Sequence, residues 1–418
     1  MKKIWIWNHY ATEMYKNSGG RHYWIAKNLK ENYEPTIFCA NTFHNSNEKI
    51  ETSGKKFIKI KLNEIPFIFV KTVKSNKNGI RRVLNMVVFF FNLMIVASKY
   101  KKSDGKPDVI IASSVHPLTM VAGILMARKF KIACICEVRD LWPEAIFFFT
   151  KVKEKSIVGK LLLKVEYWIY KNADKIVFTK EGDVDYILEK GWDSDHGGAI
   201  DLSKCFYINN GIDLVDYKQN ITKNILDDED LLTENKFKVI YCGAIRPVNN
   251  VGNIVECAEL LKNNSEIVFL IYGDGNELLK LKQLAMDKGL TNIVFKGHVN
   301  KKYIPYILSK SSLNILNYSQ SQYNWSRGNS SNKLFEYMAS GKPIVSTVKM
   351  GYCLLTKYDC GVTLEENTPE KLASKIVDIQ RLPKKEYEKM SNNSIEAAKD
   401  FDFKVLTKKY ASIIEMVL

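Results

Sequence analysis

The chain alternates short apolar runs with amphipathic stretches, and this pattern predicts most of its architecture. In the first half, apolar runs typical of β-strands lie at residues 4–7, 36–40, 108–112, 132–138 and 175–179, and the half closes with 206–213. Helical periodicity after two of these runs predicts helices at 21–31 and 118–129. Short buried strands joined by helices are typical of parallel sheets.

A second alternation of the same kind follows a polar stretch. Residues 217–236 are rich in Asp, Asn, Lys and Thr and predict a linker. Strands are then predicted at 238–242, 267–272, 293–295 and 313–317, with helices at 252–263, 277–288, 303–309 and 369–379. We therefore predict an α/β protein of two doubly wound, Rossmann-like parallel-sheet domains, at 1–216 and 237–400, that face a cleft. Residues 401–418 are expected to form a helix that packs back on the first domain.

A polar loop, a helix and a Gly-Lys-Pro turn between Asn329 and Ser346 carry the most informative chemistry. The loop supplies backbone N–H groups and Lys333 at a helix N-terminus, which suits a phosphate. Glu336 lies one turn into the helix, where a carboxylate can accept hydrogen bonds from two neighbouring hydroxyls of a ribose. Phosphate and ribose together indicate a nucleotide.

Glycines follow several predicted strands. Gly19 and Gly20 lie between the first strand and a helix, and Gly273 and Gly275 end the strand at 267–272. Glycine has no Cβ to keep a diphosphate away from the backbone, although each pair also suits a plain turn.

Two further loops follow predicted strands of the second half. Gly243 and Arg246 come after the strand at 238–242, where a guanidinium could hold a phosphate or simply be solvated. His298 and Val299 follow the strand at 293–295 and could meet a base through their backbone. His298 as a catalytic base is an alternative, but a loop histidine is more often polar surface.

Acidic and basic residues also gather where strands of the first half end. Glu137, Arg139, Asp140 and Glu144 follow the strand at 132–138. Asp140 or Glu144 could orient an acceptor hydroxyl, whereas a structural interpretation pairs Arg139 with an acid and places Trp142 in the core. His116 follows the strand at 108–112 and has the same two interpretations.

The formal net charge of +16 favours anionic partners, although lysines spread over solvated faces would give the same total. Residues 151–164 interleave lysines with Ile157 and Val158, downstream of three phenylalanines, a pattern that suits a helix on a membrane surface. The apolar run at 83–97 falls short of a span of roughly twenty residues, so we predict a buried or interfacial helix.

The cysteines and the first residues predict a cytosolic protein. The eight cysteines include no Cys-x-x-Cys pair, which argues against zinc and a disulfide framework. Cys134 and Cys136 alternate in an apolar run and are expected to pack in a strand. The apolar run that follows Met1 is too short for a signal peptide.

These motifs, in this order and spacing, resemble the bacterial retaining glycosyltransferases of family 4, which have the GT-B fold. The resemblance covers nearly the whole chain and is carried by residues 19–26, 107–117, 137–144, 210–213, 241–250, 271–275 and 332–343. It implies transfer of a sugar from a nucleotide diphospho-sugar with retention at the anomeric carbon and no required metal. The donor is expected to be a UDP-sugar bound by the second domain.

The resemblance also implies roles for individual residues. Glu336 matches the second glutamate of the family's Glu-x7-Glu motif and would hold the ribose, while Lys333 and the loop before it would meet the diphosphate. Gly19 and Gly20 would approach the phosphates from the other domain. The remaining donor contacts are expected at the residues around Lys333, namely Gly328, Asn329, Asn332 and Leu334.

Two positions depart from the family pattern. The first glutamate of the motif falls at Gly328, so backbone groups at 327–329 are expected to hold the donor sugar. The usual basic pair falls at Ala244 and Asn249, and Arg246 is expected to take over one of those roles. Members that build surface polysaccharides, such as capsule or O-antigen, resemble this form of the motif.

The expected mechanism is electrostatic. Arg246 and Lys333 stabilise the leaving diphosphate, and the acceptor hydroxyl attacks from the same face. A leaving phosphate oxygen can take the proton, and domain closure excludes water. Asp140 and His116 are the further catalytic candidates. A lipid-diphosphate-linked or oligosaccharide acceptor fits the basic, apolar first half, so the enzyme is expected on the cytoplasmic face of the membrane.

Other functions fit parts of the sequence. A UDP-sugar 2-epimerase would share the fold but would need acidic and histidine catalysts around the sugar. A non-catalytic, membrane-associated nucleotide-sugar-binding subunit would explain Gly328. Nucleic-acid binding fits poorly, because the basic residues do not interleave with aromatic residues as in single-strand-binding proteins.

Overall fold

The structure is a computed structural model that describes residues 1–44, 46–75, 79–114 and 116–418. The chain divides into two compact units. Unit 1 comprises Met1–Asn209 with Phe403–Leu418, and unit 2 comprises Asn210–Asp402. The boundary therefore falls before residue 216, and the chain returns to unit 1 for its last helix. Val115, within the strand-end loop of the sequence pattern, lies outside the described residues.

The first part of unit 1 alternates strands with helices, apart from one hairpin. Its elements up to residue 138 are β1 (Lys2–Trp7), α1 (Thr12–Lys16), α2 (Arg21–Leu29), β2 (Tyr33–Ala40), β3 (Phe57–Leu62), β4 (Ile65–Val70), α3 (Ile80–Asp104), β5 (Val109–Ser113), α4 (Pro117–Phe130) and β6 (Ala133–Val138). The remaining elements up to residue 207 are α5 (Trp142–Phe149), α6 (Ile157–Asn172), β7 (Lys175–Phe178), α7 (Asp185–Glu189) and β8 (Cys205–Tyr207).

The strands of unit 1 form one sheet in the order β3-β4-β2-β1-β5-β6-β7-β8. β1 pairs in parallel with β2 and β5, so the carboxyl ends of these strands lie at the same edge. The exception is β3, which pairs antiparallel with β4 at the outer edge. The prediction of a parallel α/β sheet is confirmed, and the hairpin adds an edge that the prediction lacked.

Unit 2 repeats the alternation with a smaller sheet. Its elements up to residue 316 are α8 (Leu214–Lys223), α9 (Glu229–Leu232), β9 (Phe237–Cys242), α10 (Val251–Leu260), β10 (Ile267–Tyr272), α11 (Leu278–Asp287), β11 (Ile293–Gly297), α12 (Ile304–Ser309) and β12 (Leu313–Leu316). It continues with α13 (Asn332–Ala339), β13 (Ile344–Ser346), α14 (Leu354–Lys357), β14 (Gly361–Thr363), α15 (Pro369–Gln380) and α16 (Lys384–Asp400). The strand order is β11-β10-β9-β12-β13-β14, and the pairs are parallel.

The stretch predicted as a linker, 217–236, instead contains most of α8 and all of α9 and belongs to unit 2. Asp213 caps α8 by accepting a hydrogen bond from the Asp216 N–H, and Asp228 caps α9 in the same way from Leu231. Tyr217 and Leu231 are buried and anchor these otherwise polar helices.

The closing helix, α17 (Phe403–Glu415), packs against α2 within unit 1. Its buried residues include Phe403, Leu406 and Tyr410. On α2, all residues from Arg21 to Ala26 are buried. This contact explains why the chain has to return to unit 1 after completing unit 2.

Helix α3 is longer than the predicted apolar run. Among the described residues it is the one helix long and apolar enough to cross a membrane by length and composition, and a third of its most apolar stretch is buried in the fold. Its buried side includes Phe89, Leu93 and Val96. Val83, Leu84, Phe91 and Ile95 are exposed.

Candidate functional site

Three turns at the carboxyl ends of neighbouring strands form the floor of the candidate site in unit 2. The Gly243 N–H donates to the Tyr272 carbonyl over 2.9 Å, and the Gly273 N–H donates to the Gly297 carbonyl over 2.8 Å. Gly273 has φ +150°, and a Cβ there would overlap the carbonyl oxygen of Gly243. A Cβ on Gly275 would likewise overlap the carbonyl oxygen of Ile245. These glycines are required because the turns after β9 and β10 pack backbone against backbone.

Lys333 reaches these turns from the first turn of α13. Its Nζ lies 3.3 Å from the Tyr241 hydroxyl oxygen and close to the rings of Tyr241 and Tyr318, at 4.8 and 4.3 Å from their centroids. A Cβ on Gly243 would lie 3.2 Å from the same Nζ, so the ammonium group sits against the turn after β9. Burial lowers the pKa of Lys333 to about 7. The side chain is therefore about half-protonated at neutral pH and well placed to take up a proton beside an anion.

Glu336 lies one turn further along α13 and is mostly buried. Its Oε1 is 3.4 Å from the Nζ of the exposed Lys301, which precedes α12. Within the described chain the carboxylate contacts no hydrogen-bond or ion-pair partner other than this surface lysine, so hydroxyl groups could replace the lysine at little cost. Lys333 and Glu336 thus lie on one face of α13, as the sequence spacing predicted.

The loop before α13 explains the departure at Gly328. Gly328 is buried with φ +96°, and a Cβ there would come within 3.5 Å of the Gly351 carbonyl oxygen and 3.6 Å of Tyr352. A glutamate at this position would be strained, because side chains other than glycine rarely adopt this backbone conformation. The adjacent loop is tied down by the Asn329 side chain, which accepts from the Ser331 N–H at 2.7 Å, and by the Asn210 amide, which donates to the Ser330 carbonyl at 2.7 Å.

The other residues predicted to bind the donor differ in their exposure to solvent. Arg246 and His298 are exposed on their loops, and Val299 is half-buried. Asn332 is exposed at the start of α13, whereas Leu334 packs in the core. The structure therefore brings Gly243, Gly273, Gly275 and Lys333 together, and it places Arg246 as an exposed loop arginine.

In unit 1, the candidate loop after β1 is shaped by Gly20. Gly20 has φ +103° and directly precedes α2, while a Cβ on Gly19 would make only ordinary contacts. The residue after them, Arg21, turns inward and is buried. The turn at Gly20 thus sets the start of a helix whose first side chains enter a polar network.

Glu137 is the centre of that network. The fully buried carboxylate accepts from Arg21 Nε at 2.8 Å, from the Ser113 hydroxyl at 2.8 Å and from the Tyr410 hydroxyl at 3.3 Å, and it lies 2.8 Å from His22 Nε2. Burial alone would raise its pKa, but the Arg21 and His22 charges bring the pKa of Glu137 well below its ordinary value. Glu137 is therefore an ionised structural anchor.

His116, a catalytic candidate, is buried beside another histidine. Its Nε2 lies 2.8 Å from His9 Nδ1, and its Nδ1 has no hydrogen-bond partner. Burial, with the positive charge of Arg82, lowers the pKa of His116 to about 3. A neutral imidazole with so low a pKa is a weak base at neutral pH, so His116 suits hydrogen bonding better than proton abstraction.

The ion-pairing of Arg139 differs from what the sequence suggests. The expected Arg139 ion pair with a nearby acid is absent from the described structure, because Glu137 is held by Arg21 and His22 instead. Asp140, the catalytic candidate beside it, is half-buried at the same sheet edge. Among the described residues, no group of three or more His, Cys, Asp or Glu side chains is arranged to hold a metal ion.

In a comparison with known proteins, the two halves of the chain match two different family models. Residues 223–397 match the family model of glycosyl transferases group 1, and residues 78–197 match that of the glycosyl transferase 4-like domain. Both units thus resemble glycosyltransferases, and the two parallel-sheet units have the architecture of the GT-B fold. The match to glycosyl transferases group 1 spans α13 and the turns that surround Lys333.

One curated relative and several solved structures resemble the protein. The uncharacterized glycosyltransferase MJ1069 of Methanocaldococcus jannaschii is 28% identical over 192 residues, which are 44% of this chain and 46% of that protein. The chain thus aligns with about half the length of this relative.

The structural likenesses extend over both chains. Sucrose-phosphate synthase from Thermosynechococcus elongatus has a TM-score of 0.70 at 14% identity, covering 100% of this chain and 99% of the other. Anabaena HepE, solved in complex with UDP, has a TM-score of 0.67 at 14% identity, covering 100% of both chains. At this identity the likeness establishes the fold alone.

Proposed function

We propose that the protein transfers a sugar from a nucleotide diphospho-sugar, in particular a UDP-sugar, to an acceptor hydroxyl with retention of anomeric configuration. The observation that carries this proposal is the placement of Lys333 and Glu336 on one face of α13, beside the glycine turns after β9 and β10. A cation at a helix N-terminus and a mostly buried carboxylate one turn away match a diphosphate and a ribose. The UDP bound by Anabaena HepE, which shares the fold, supports uridine as the base.

In this mechanism the bond between the anomeric carbon and the diphosphate oxygen breaks, and the acceptor oxygen bonds to the same carbon from the same face. Lys333 and the backbone N–H groups at the start of α13 stabilise the charge that develops on the leaving diphosphate. The proton of the acceptor hydroxyl passes to a phosphate oxygen of the leaving nucleotide. No separate base is required, which agrees with the low basicity of His116.

We assign acceptor binding to unit 1, and we propose a lipid-linked or oligosaccharide acceptor of surface-polysaccharide synthesis, such as capsule or O-antigen. The support is helix α3, which exposes Val83, Leu84, Phe91 and Ile95 on one side. Arginines precede this apolar side, and lysines follow it. A helix of this kind can rest on an anionic membrane, which would place the enzyme on the cytoplasmic face.

The test is transfer from a panel of UDP-sugars with the variants Glu336→Ala and Lys333→Met. Each is expected to reduce UDP affinity and turnover at least tenfold, because each removes a group that we assign to the nucleotide. Glu370→Ala is the matched control, since Glu370 lies exposed in the first turn of another helix of unit 2. Unchanged UDP-sugar turnover by Glu336→Ala would refute the assignment of Glu336 to the ribose.

The same assays separate the competing functions. Conversion of UDP-GlcNAc to a new epimer without acceptor would show an epimerase instead of a transferase. Tight UDP binding without transfer to any acceptor of the panel would show a binding subunit. Because Gly328 is imposed by its backbone conformation, its lack of a carboxylate does not by itself favour that outcome.

A further inference from the structure

Arg139 occupies a fixed position at the carboxyl edge of the unit 1 sheet. It directly follows β6, its backbone N–H donates to the Ser114 hydroxyl at 2.9 Å, and its carbonyl accepts from the Thr179 hydroxyl at 2.9 Å. Ser114 and Thr179 follow β5 and β7, the two strands that flank β6. The side chain of Arg139 therefore starts from a backbone that is held on both sides.

The guanidinium group of Arg139 forms no salt bridge in the part of the chain that the structure describes. Its Nε is buried and has no hydrogen-bond partner, and no salt bridge to Arg139 is present. Glu137, two residues earlier, is occupied by Arg21, His22, Ser113 and Tyr410. Glu137 therefore acts on Arg139 through its charge, without a hydrogen bond or a salt bridge to it.

An anion would complete this arrangement by binding the guanidinium directly. Burial lowers the pKa of Arg139, yet a guanidinium remains charged at neutral pH and cannot escape the cost by losing its proton. The charges of Glu137 and Asp140 raise the pKa of Arg139 without forming a salt bridge with it, and Lys180 on the next strand end lies 3.5 Å from Asp183. An oxyanion ligand can complete a half-buried guanidinium whose Nε is enclosed without a hydrogen-bond partner.

We propose that Arg139 binds an oxyanion of the acceptor, either a phosphate or a carboxylate group. This inference rests on the proposed transferase function and adds to it that the acceptor is anionic. The donor diphosphate is assigned to Lys333 in unit 2, whereas Arg139 belongs to unit 1, where we place the acceptor. A planar guanidinium can hold two oxygens of such a group at once, which gives orientation as well as affinity.

The first experiment measures the binding of small oxyanions and does not require that the acceptor be identified. The protein is saturated with UDP so that the donor site is filled, and methyl phosphate, inorganic pyrophosphate, glucuronate and neutral glucose are added separately. The melting temperature is expected to rise with at least one oxyanion and not with glucose. For Arg139→Gln the apparent affinity for that oxyanion should fall at least tenfold, while Arg139→Lys should lie between the two. Comparison of the phosphate and carboxylate arms identifies which group is bound.

Arg128→Gln is the control, because it removes the same charge from an exposed arginine on α4 of unit 1. Equal oxyanion binding by the wild-type protein and Arg139→Gln would overturn the proposal. A loss of UDP affinity in Arg139→Gln that matches the loss of oxyanion binding would also overturn it, because Arg139 would then serve the donor. If Arg139→Gln fails to fold, Arg139→Lys decides the question, since it keeps the charge and loses the two-oxygen geometry.

The second experiment follows transfer to sugar acceptors linked to decyl diphosphate, to decyl phosphate or to neutral decanol. Arg139→Gln is expected to raise the KM for an anionic acceptor at least tenfold while the KM for the UDP-sugar stays unchanged. An unchanged KM for every acceptor that the wild-type enzyme uses would contradict an anion-binding role. If the wild-type protein transfers to no acceptor, the transferase proposal fails, while the oxyanion-binding experiment still decides the role of Arg139.

Discussion

The affinity for UDP should fall as the pH rises through neutrality, and the cause should be Lys333. In the free protein, burial beside Tyr241 and Tyr318 lowers the pKa of Lys333 to about 7. A bound diphosphate favours the ammonium form and raises this pKa again. The nucleotide complex therefore holds a proton that the free protein has partly lost, so binding takes up a proton above about pH 7. The affinity is full below the pKa of the free protein and is lost above it.

The magnitude follows from the titration of the free protein. With a pKa of about 7, about half of the Lys333 side chains carry a proton at about pH 7 and about 3% do so at about pH 8.5. If the pKa in the complex stays above this range, the affinity falls about 16-fold between these two values. This change corresponds to about 1.6 kcal/mol.

Isothermal titration calorimetry of UDP can test both parts of the reasoning. Titrations at about pH 8 in buffers of different ionisation enthalpy report the proton uptake, which should approach one per UDP. Lys333→Arg keeps its charge across the range, so its affinity should be nearly independent of pH. Lys333→Met should bind weakly at every pH. A flat pH profile for the wild-type protein, or the same slope in Lys333→Arg, would refute the assignment.

Three other perturbations address the fold and the surface. Gly273→Ala should lower the melting temperature far more than Gly289→Ala, because both glycines have positive φ but only the Cβ at 273 meets backbone. Burial raises the pKa of Glu166 to about 7 from its ordinary 4.5, so the free energy of unfolding should decrease by up to about 3 kcal/mol as the pH rises through that interval. Denaturation of Glu166→Gln should lack this decrease, and an unchanged pH dependence would contradict it. Leu84→Ser with Phe91→Ser should reduce co-sedimentation with anionic vesicles about tenfold or more, whereas equal binding would exclude α3 as the contact.

The sheets could be predicted because most of their strands are buried on both faces. The strand predicted at 267–272 coincides with β10, and β1, β6 and β9 begin within two residues of their predicted starts. The β3–β4 hairpin was missed, although the sequence of β3 alternates apolar residues with Lys59 and Lys61. That period of two is the signal of an edge strand with one solvated face, and it was available in the sequence.

The helices of the supposed linker could not be predicted by composition. Between Tyr217 and Lys236 most residues are polar, and the two helices are held by single buried anchors and Asp caps. Such helices owe their stability to tertiary contacts, which a window of sequence does not contain. The length of α3 was underestimated for the opposite reason, because its ends are Arg- and Lys-rich while only its centre is apolar.

Some features of the candidate site follow from local sequence spacing, and others depend on residues far away in the sequence. Lys333 and Glu336 are three residues apart on one helix, so their common face follows from helical periodicity alone. The strained conformation of Gly328 depends on Gly351 and Tyr352, which follow it in a later loop. The low pKa of His116 depends on burial beside His9, more than a hundred residues away. Neither could be derived from the motif in which each residue lies.

The Glu137 network shows how a long-range partner changes the meaning of a local motif. By sequence proximity, Glu137 and Arg139 form a plausible pair, but Arg21 is the cation that reaches Glu137. Arg21 is required there because its guanidinium also donates to the carbonyls of Ile208 and Asn209, at the point where the chain leaves unit 1.

Tyr410 adds the returning chain to the same carboxylate. It lies on α17, which begins as the chain re-enters unit 1 at Phe403, and its hydroxyl donates to Glu137. One buried carboxylate thus holds both places where the chain crosses between the units, so it cannot be exchanged for a neutral group without loosening both. Because Glu137 is committed to these contacts, Arg139 forms no salt bridge within the described chain, and its guanidinium is free to bind the anionic ligand that we propose.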